Sequence, residues 1–237
     1  MKKYEIILQN LEKKIINGTY KANDLLPSEN ELSAIYNSSR ATVRQALKIL
    51  EEQGLIYRRH GLGSVVIKHD KLHFPITGLV SFKELKDSIG FESTTECMIF
   101  GAITTNQELS DTTGFPVGTK VWHILRRRSI DNKFVVLDRD YIRCDVAPHL
   151  TKRTVEKSLY EYLEHKLNLD IAYAQKEITV DFLNTEDREL MDLNLQDHHV
   201  VSVKSQVYLS DNTMFQYTES RHQVDKFRFT EFARRKR

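Results

Sequence analysis

Residues 26–67 read LPSENELSAIYNSSRATVRQALKILEEQGLIYRRHGLGSVVI, and this stretch decides the fold of the first third of the chain. Ser28 and Glu31 have the Ser-x-x-Glu spacing of a capping box, in which hydroxyl and carboxylate satisfy backbone donors at a helix start. Pro27 keeps an earlier helix from running in. The spacing predicts a helix over 29–36, with Leu32, Ile35 and Tyr36 on one face. Asn37, Ser38 and Ser39 form a polar turn in which Ser39 is placed to cap a second helix over 40–53. There Val43, Ala46, Leu47 and Leu50 repeat at helical spacing and are expected to bury, leaving Arg40, Thr42, Arg44, Gln45 and Lys48 outside.

That second helix is electrically polarised. Arginines and hydroxyls crowd its first turns, where the helix dipole is positive, whereas Glu51 and Glu52 close its far end. A polyanion would therefore meet it by its N-terminus, as a helix entering the major groove does. Gly54 ends the helix, and 55–67 alternates as a hairpin whose tip, Arg58-Arg59-His60-Gly61-Leu62-Gly63, joins cations to glycines that permit close backbone approach. The whole reads as a winged helix-turn-helix. An amphipathic helix bearing arginines is most often only the solvated face of a helical hairpin. Cap, turn, polarity and basic wing agree here in a way that this plainer reading leaves to coincidence.

Leu26-Pro27-Ser28-Glu29, the run Ser39 through Leu47 and Gly61-Leu62-Gly63-Ser64 resemble the GntR family of bacterial transcription regulators. The resemblance implies a double-stranded, pseudo-palindromic DNA operator as partner, contacted by Asn30, Ser39, Arg40, Thr42, Arg44, His60 and Gly61. Gln45 joins them from the exposed helix flank.

The remainder has a different character. Residues 1–69 hold eleven Lys and Arg against seven Asp and Glu, while residues 70–237 hold twenty-four against twenty-six, so a basic head precedes a slightly acidic body. A polyanion partner is expected only at the head. At 237 residues and 27.7 kDa the chain is long enough for two modest cores, read as a DNA-binding domain over 1–69, a linker over 70–75 and an effector-binding and dimerisation domain over 76–237. The first helix is broken by Glu12, Lys13 and Lys14 and is no signal peptide, no apolar run approaches a bilayer span, and Cys97 and Cys144 are too few for a zinc site or a disulfide framework. A cytoplasmic protein without metal, cofactor or membrane partner is expected.

Beyond the linker, the pattern predicts helices over 82–89, 107–112, 159–167 and 186–193, and strands over 96–104, 120–130, 134–144, 171–182, 200–209 and 214–222. Asp131-Asn132 and Asp211-Asn212 are hairpin turns, so the class is α+β with a largely antiparallel sheet. On the strand over 120–130, Arg126 and Arg128 share one face and Arg127 the other, and two guanidinium forks on one face suit phosphate oxygens. Ser81-x-x-Glu84 and Ser158-x-x-Glu161 repeat the capping-box spacing, and a helix start also offers donors to an anion. Taken singly, such pairs are usually only caps, and an arginine run is usually a solvated strand.

Ser81 to Glu84, Arg126 to Asp140, Ser158 to Glu161 and 216–229 resemble the effector domain of the HutC branch of GntR regulators, a chorismate-lyase-like antiparallel sheet with helices. This implies a small-molecule effector whose phosphate meets Ser81, Lys83, Arg126, Arg128 and Ser158, with Asp138, Gln216 and His222 lining the rest. Residues 78–85, 172–178 and 215–222 further resemble the trehalose-operon repressors of that branch. The effector so implied is trehalose 6-phosphate, with Asp140 and Glu219 also offering hydrogen bonds to sugar hydroxyls. The expected function is a homodimeric repressor released from its operator by effector. Three alternatives stand beside it, a regulator answering another sugar phosphate, an enzyme using Asp138, Asp140 and His222 as an acid–base set, and a constitutive architectural DNA protein, which leaves the larger second domain unexplained. The second finds no nucleophile elbow, phosphate loop or metal-ligand cluster in the sequence, and no catalytic residue is assigned.

Overall fold

The computed structural model describes residues 2–16, 18–52, 54–59, 62–67, 79 and 81–227. His60, Gly61 and the linker expected over 70–75 lie outside them. The described residues fall into two compact units, 2–67 with 84–90, and 79–83 with 91–227.

In the first unit, helix α1 (Lys3–Ile16) is followed by α2 (Glu29–Ile35), α3 (Arg40–Glu52) and the hairpin of β1 (Ile56–Arg59) with β2 (Gly63–Val66). The capping box at α2 is complete: Glu31 N donates to Ser28 Oγ at 3.3 Å and Ser28 N donates to the Glu31 carboxylate at 2.7 Å. Ile7, Leu11 and Ile15 of α1 meet Leu32 and the Val43, Ala46, Leu47, Leu50 stripe of α3 in one core, closed below by Leu55, Ile56 and Val66. Burying these side chains is the main force that holds such short helices, which are marginal alone in water. Ile35, expected beside Leu32, stays 59% exposed, because the seven-residue α2 presents only one narrow face to the core. The hairpin has an unforeseen third line. Leu25 bridges Val65, Asn23 N donates to Val66 O at 2.8 Å and Leu26 N to Ser64 O at 2.8 Å, so the residues entering α2 tie it to the wing.

The second unit is built on a six-stranded antiparallel sheet of order β3-β4-β5-β8-β7-β6, comprising β3 (Thr95–Thr104), β4 (Lys120–Ile130), β5 (Lys133–Arg143), β6 (Ile171–Phe182), β7 (His199–Leu209) and β8 (Met214–Gln223). Its tight turns use residues that tolerate a left-handed backbone, with φ of 49° at Asp131, 65° at Asn132 and 66° at Asn212. Helices α6 (Lys152–Lys157) and α7 (Leu159–Glu161), continued by a π-helical turn over Tyr162–Lys166, bury Val155, Leu159 and Leu163 against Ile124, Ile142 and Val207 of one face. Against the other face lie Phe115 and Leu109, packed with Val121, Tyr141 and Tyr217, and Leu190, Met191 and Leu193, packed with Leu125 and Leu137. These come from α5 (Gln107–Thr113), α8 (Thr185–Leu190) and the residues just after each. Helix α4 (Phe82–Ile89) spans the division between the units. Helix α6 was not foreseen. The expected helix over 186–193 starts and ends earlier, because Asn184 and Asp187 form its capping box.

Candidate DNA-binding surface and effector site

The candidate DNA-binding surface is organised from the start of α3. Thr42 N donates to Ser39 Oγ at 3.2 Å, so the hydroxyl satisfies a backbone donor left over at the helix end, and the Ser39 and Thr42 hydroxyls share a 2.8 Å hydrogen bond. Arg40, Arg44 and Gln45 are exposed on this helix, Thr42 is half-buried, and Asn30 is exposed on α2. Of the wing, Arg59 is exposed at the end of β1, and the expected contacts His60 and Gly61 are not among the described residues.

Glu29, the first residue of α2, sits at the middle of these cations and went unread in the sequence. Arg44 lays a two-pronged fork on it, with Nε donating at 3.2 Å and Nη2 at 2.8 Å. Arg40 Nη2 stands 3.9 Å away and Arg58 Nη1 3.8 Å away. The Arg44 hydrogen bonds hold the Glu29 carboxyl below the usual carboxylate range, against the opposing effect of burial. Arg58 also faces Glu51 at 3.7 Å and donates to the Arg44 carbonyl at 3.3 Å, which couples wing to helix. An acidic residue directly after a capping Ser, ahead of a basic helix and a basic wing, is the signal that could have found it.

In the second unit, strand register assembles a polar cluster on one sheet face. Arg126 pairs with Asp138 across β4 and β5, Asp138 with Ser220, Asp140 with Thr218, Ile142 with Gln216 and Val136 with His222 across β5 and β8. Directly opposed residues of antiparallel strands point the same way. Arg126 Nη2 donates to Asp140 at 2.6 Å and lies 3.8 Å from Asp138, while Arg128 Nε donates to Asp138 at 2.5 Å. Gln216 Nε2 donates to the other Asp140 oxygen at 2.8 Å, and the Ser220 hydroxyl donates to Asp138.

The elements over this face reach the same cluster. Val155 of α6 accepts from Arg126 Nη1 at 3.3 Å, and Ser158, which follows α6, caps α7 by accepting from Glu161 N at 3.3 Å. Lys83 pairs with Glu161, and the Phe82 ring lies under the Arg128 guanidinium, its centroid 4.5 Å from Cζ. Ser81 precedes that ring. Thus Arg126, Arg128, Asp138, Gln216 and His222 share one face, and the segments carrying Ser81, Lys83 and Ser158 converge on it. Glu219 does not join them. It lies an odd step along β8 from Gln216 and His222, so it faces the opposite side, where its carboxylate accepts from Ser202 and Arg221. Arg127 likewise turns away, to Glu96 at 2.6 Å and over the Phe134 ring. Asp140 and Ser220 bind the cluster together more directly than the sequence suggested.

The electrostatics are those of a compensated, buried site. Burial alone would push the Asp138 carboxyl up, but the adjacent Arg128 and Arg126 charges outweigh it and hold it at about 2. Burial pushes the His222 imidazole down to about 4, so this ring is neutral at pH 7. Two guanidinium and two carboxylate charges cancel. Among the described residues, the buried atoms without a hydrogen-bond partner include the Arg126 Nε donor and the Gln216 Oε1 acceptor of this cluster. Buried groups of this kind are costly unless satisfied. The first can donate to an oxygen and the second can accept from a hydroxyl. Trp122, by contrast, is a packing residue, stacked on Phe100 at 5.1 Å with its indole N–H on the Ala147 carbonyl. No group of three or more His, Cys, Asp or Glu able to hold a metal occurs among the described residues, and none of their helices is long and apolar enough to cross a membrane.

Comparison with known proteins agrees with this division. The model of bacterial regulatory proteins of the gntR family matches residues 3–66, and that of the UTRA domain matches residues 88–228. The HTH-type transcriptional regulator TreR of Bacillus subtilis (strain 168) is 46% identical over 233 residues, which cover 98% of this chain and 98% of TreR. The structure of the B. subtilis trehalose repressor (TreR) effector binding domain aligns with a TM-score of 0.55 and 44% identity, over 61% of this chain and 99% of that one. The possible transcriptional regulator YydK from Bacillus subtilis subsp. subtilis str. 168 aligns over 99% of this chain and 100% of its own, with a TM-score of 0.77 at 23% identity, a likeness of fold. With a helix-turn-helix whose basic helix is capped for DNA and a UTRA sheet behind it, the chain belongs to the GntR family of bacterial regulatory proteins, in the HutC-like arrangement.

Proposed function

We propose that this protein is a repressor of trehalose uptake and utilisation genes, which binds its operator as a homodimer and leaves it when trehalose 6-phosphate occupies the UTRA domain. The near full-length similarity to TreR supports the trehalose assignment. The observation that carries the effector class is the Arg126–Arg128 pair, with an unsatisfied Arg126 Nε and an unsatisfied Gln216 carbonyl on two side chains that both bond Asp140. In this reading the phosphate takes the arginines, Ser81, Lys83 and Ser158, and the sugar hydroxyls take Asp138, Gln216 and His222. The site carries no chemistry beyond binding, since its carboxylates are tied to arginines and its histidine is a weak base at neutral pH.

Release of DNA requires more than tight binding. A ligand shifts the balance between two arrangements only by its difference in affinity for them. Titration calorimetry with trehalose 6-phosphate, trehalose and glucose 6-phosphate, followed by release from a duplex enriched from a random library, tests the proposal. Trehalose 6-phosphate is expected to bind most tightly and to release the DNA, and to be recovered unchanged. Binding of free trehalose as tight as that of its phosphate would overturn the anion assignment, and tighter binding of glucose 6-phosphate would move the protein to another sugar phosphate.

A further inference from the structure

We propose that Glu29 sets the sequence specificity of the DNA-binding surface by acting as an internal stand-in for a DNA phosphate. Three arginines from two elements, Arg40 and Arg44 of α3 and Arg58 of β1, converge on this one carboxylate of α2. The Arg44 fork has the planar two-pronged geometry that guanidinium offers to phosphate or to a guanine edge. The carboxylate is recessed, with 23% of its side chain exposed against 62% for Arg40 and 59% for Arg44, so the cations cover it and it stays beneath them when a duplex docks.

The consequence follows from how non-specific binding works. Affinity for arbitrary DNA comes from cations that neutralise phosphates and release counterions, and it grows with the number of such cations. Glu29 removes about one unit of that attraction from the surface that touches DNA. A duplex offering only phosphates must draw the arginines off a partner they already have. A duplex that also presents the right base edge gives Arg44 a replacement of equal geometry, and only there is the exchange favourable. Glu29 thus lowers affinity for wrong sequences more than for the right one, which is specificity by discouraging competitors. Glu51, which faces Arg58 at 3.7 Å, shares a smaller part of this task.

The inference rests on the DNA-binding reading and is independent of the effector. Full-length wild type is used to enrich a duplex from a random library of ~20 bp, long enough for two half-sites. Wild type, Glu29→Gln and Glu29→Asp are then titrated against that duplex and a shuffled one over a range of salt, with thermal melts to establish that each variant is folded. Glu29→Gln keeps the shape and loses the charge. It is expected to tighten the shuffled duplex by about tenfold and to steepen its salt dependence by roughly one counterion, with a smaller change on the enriched duplex. Glu29→Asp keeps the charge and is expected to stay within about twofold of wild type on the shuffled duplex. A folded Glu29→Gln protein with an unchanged affinity ratio and salt slope overturns the proposal, as does an equal loss on both duplexes, which marks a merely structural residue. If wild type enriches no sequence, the DNA-binding reading itself fails and this inference with it.

Discussion

The molecule uses the same pair, arginine on carboxylate, in two ways. Around Glu29 three arginines share one acid, with side chains 62% exposed for Arg40, 59% for Arg44 and 32% for Arg58. Around Asp138 and Asp140 the two arginines are 5% and 11% exposed, and two acids serve them, Arg126 bonded to Asp140 and 3.8 Å from the Asp138 that also takes Arg128. Exposed pairs in water gain little and exchange partners cheaply, whereas buried ones have already given up hydration and hold only while every charge is met. The first arrangement suits a surface that must leave one anion for another within an encounter. The second suits a receptor whose rearrangement is expensive enough to have two distinct states.

The sharpest way to break this contrast is to remove an acid from the buried set. Asp140→Ala takes from Arg126 its 2.6 Å acid, itself 1% exposed, and leaves it Asp138 at 3.8 Å, so it is expected to cost about 3 kcal/mol of folding stability in denaturant titration, the low end for a broken buried pair. A loss below about 1 kcal/mol would mean that the cluster is wetter than its burial indicates.

Acid gives a middle-sized effect. The folded His222 pKa, about 4, lies below its ordinary 6.5, so between these values the unfolded chain binds more protons and stability falls as pH falls. Lowering pH from 7 to 5 is expected to remove about 2 kcal/mol through this residue, by the linkage of roughly 1.4 kcal/mol per pH unit. His222→Gln should flatten that part of the profile. Asp138 acts lower still. Its stabilisation is present above its ordinary 3.8 and is lost as pH falls from there towards about 2. The smallest effect on folding belongs to the surface. Arg44→Ala is expected to cost less than about 1 kcal/mol in the same denaturant titration but about 1–3 kcal/mol of operator affinity by fluorescence anisotropy. A large folding loss there would erase the distinction between the two settings.

The sequence was most readable where a single local rule governs. Ser28 and Glu31 marked the start of α2, the α3 stripe marked its buried face, and Asp131-Asn132 marked a hairpin, because each is decided within a few residues. All six strands of the second unit were legible by alternation and turn residues. Helix α6 was not, since its six residues, KRTVEK, bury only Val155 and carry no apolar period. The arginine face of β4 was legible by counting in twos, and the same count on β8 separates Glu219 from Gln216 and His222. The partners of the arginines were harder. Whether β8 lies beside β5, and in which register, depends on packing between segments more than seventy residues apart, which local pattern does not encode.

That spacing also orders the birth of the receptor. Arg126 and Arg128 meet Asp140 and Asp138 across separations of 14 and 10 residues, inside one hairpin. Closing so short a loop sacrifices little chain freedom, and hairpins of this kind form within microseconds. Gln216 and Ser220 arrive from 76 and 82 residues away. A nascent chain therefore neutralises its inward-pointing charges early, and carries them as an already paired seam until the late strand docks alongside.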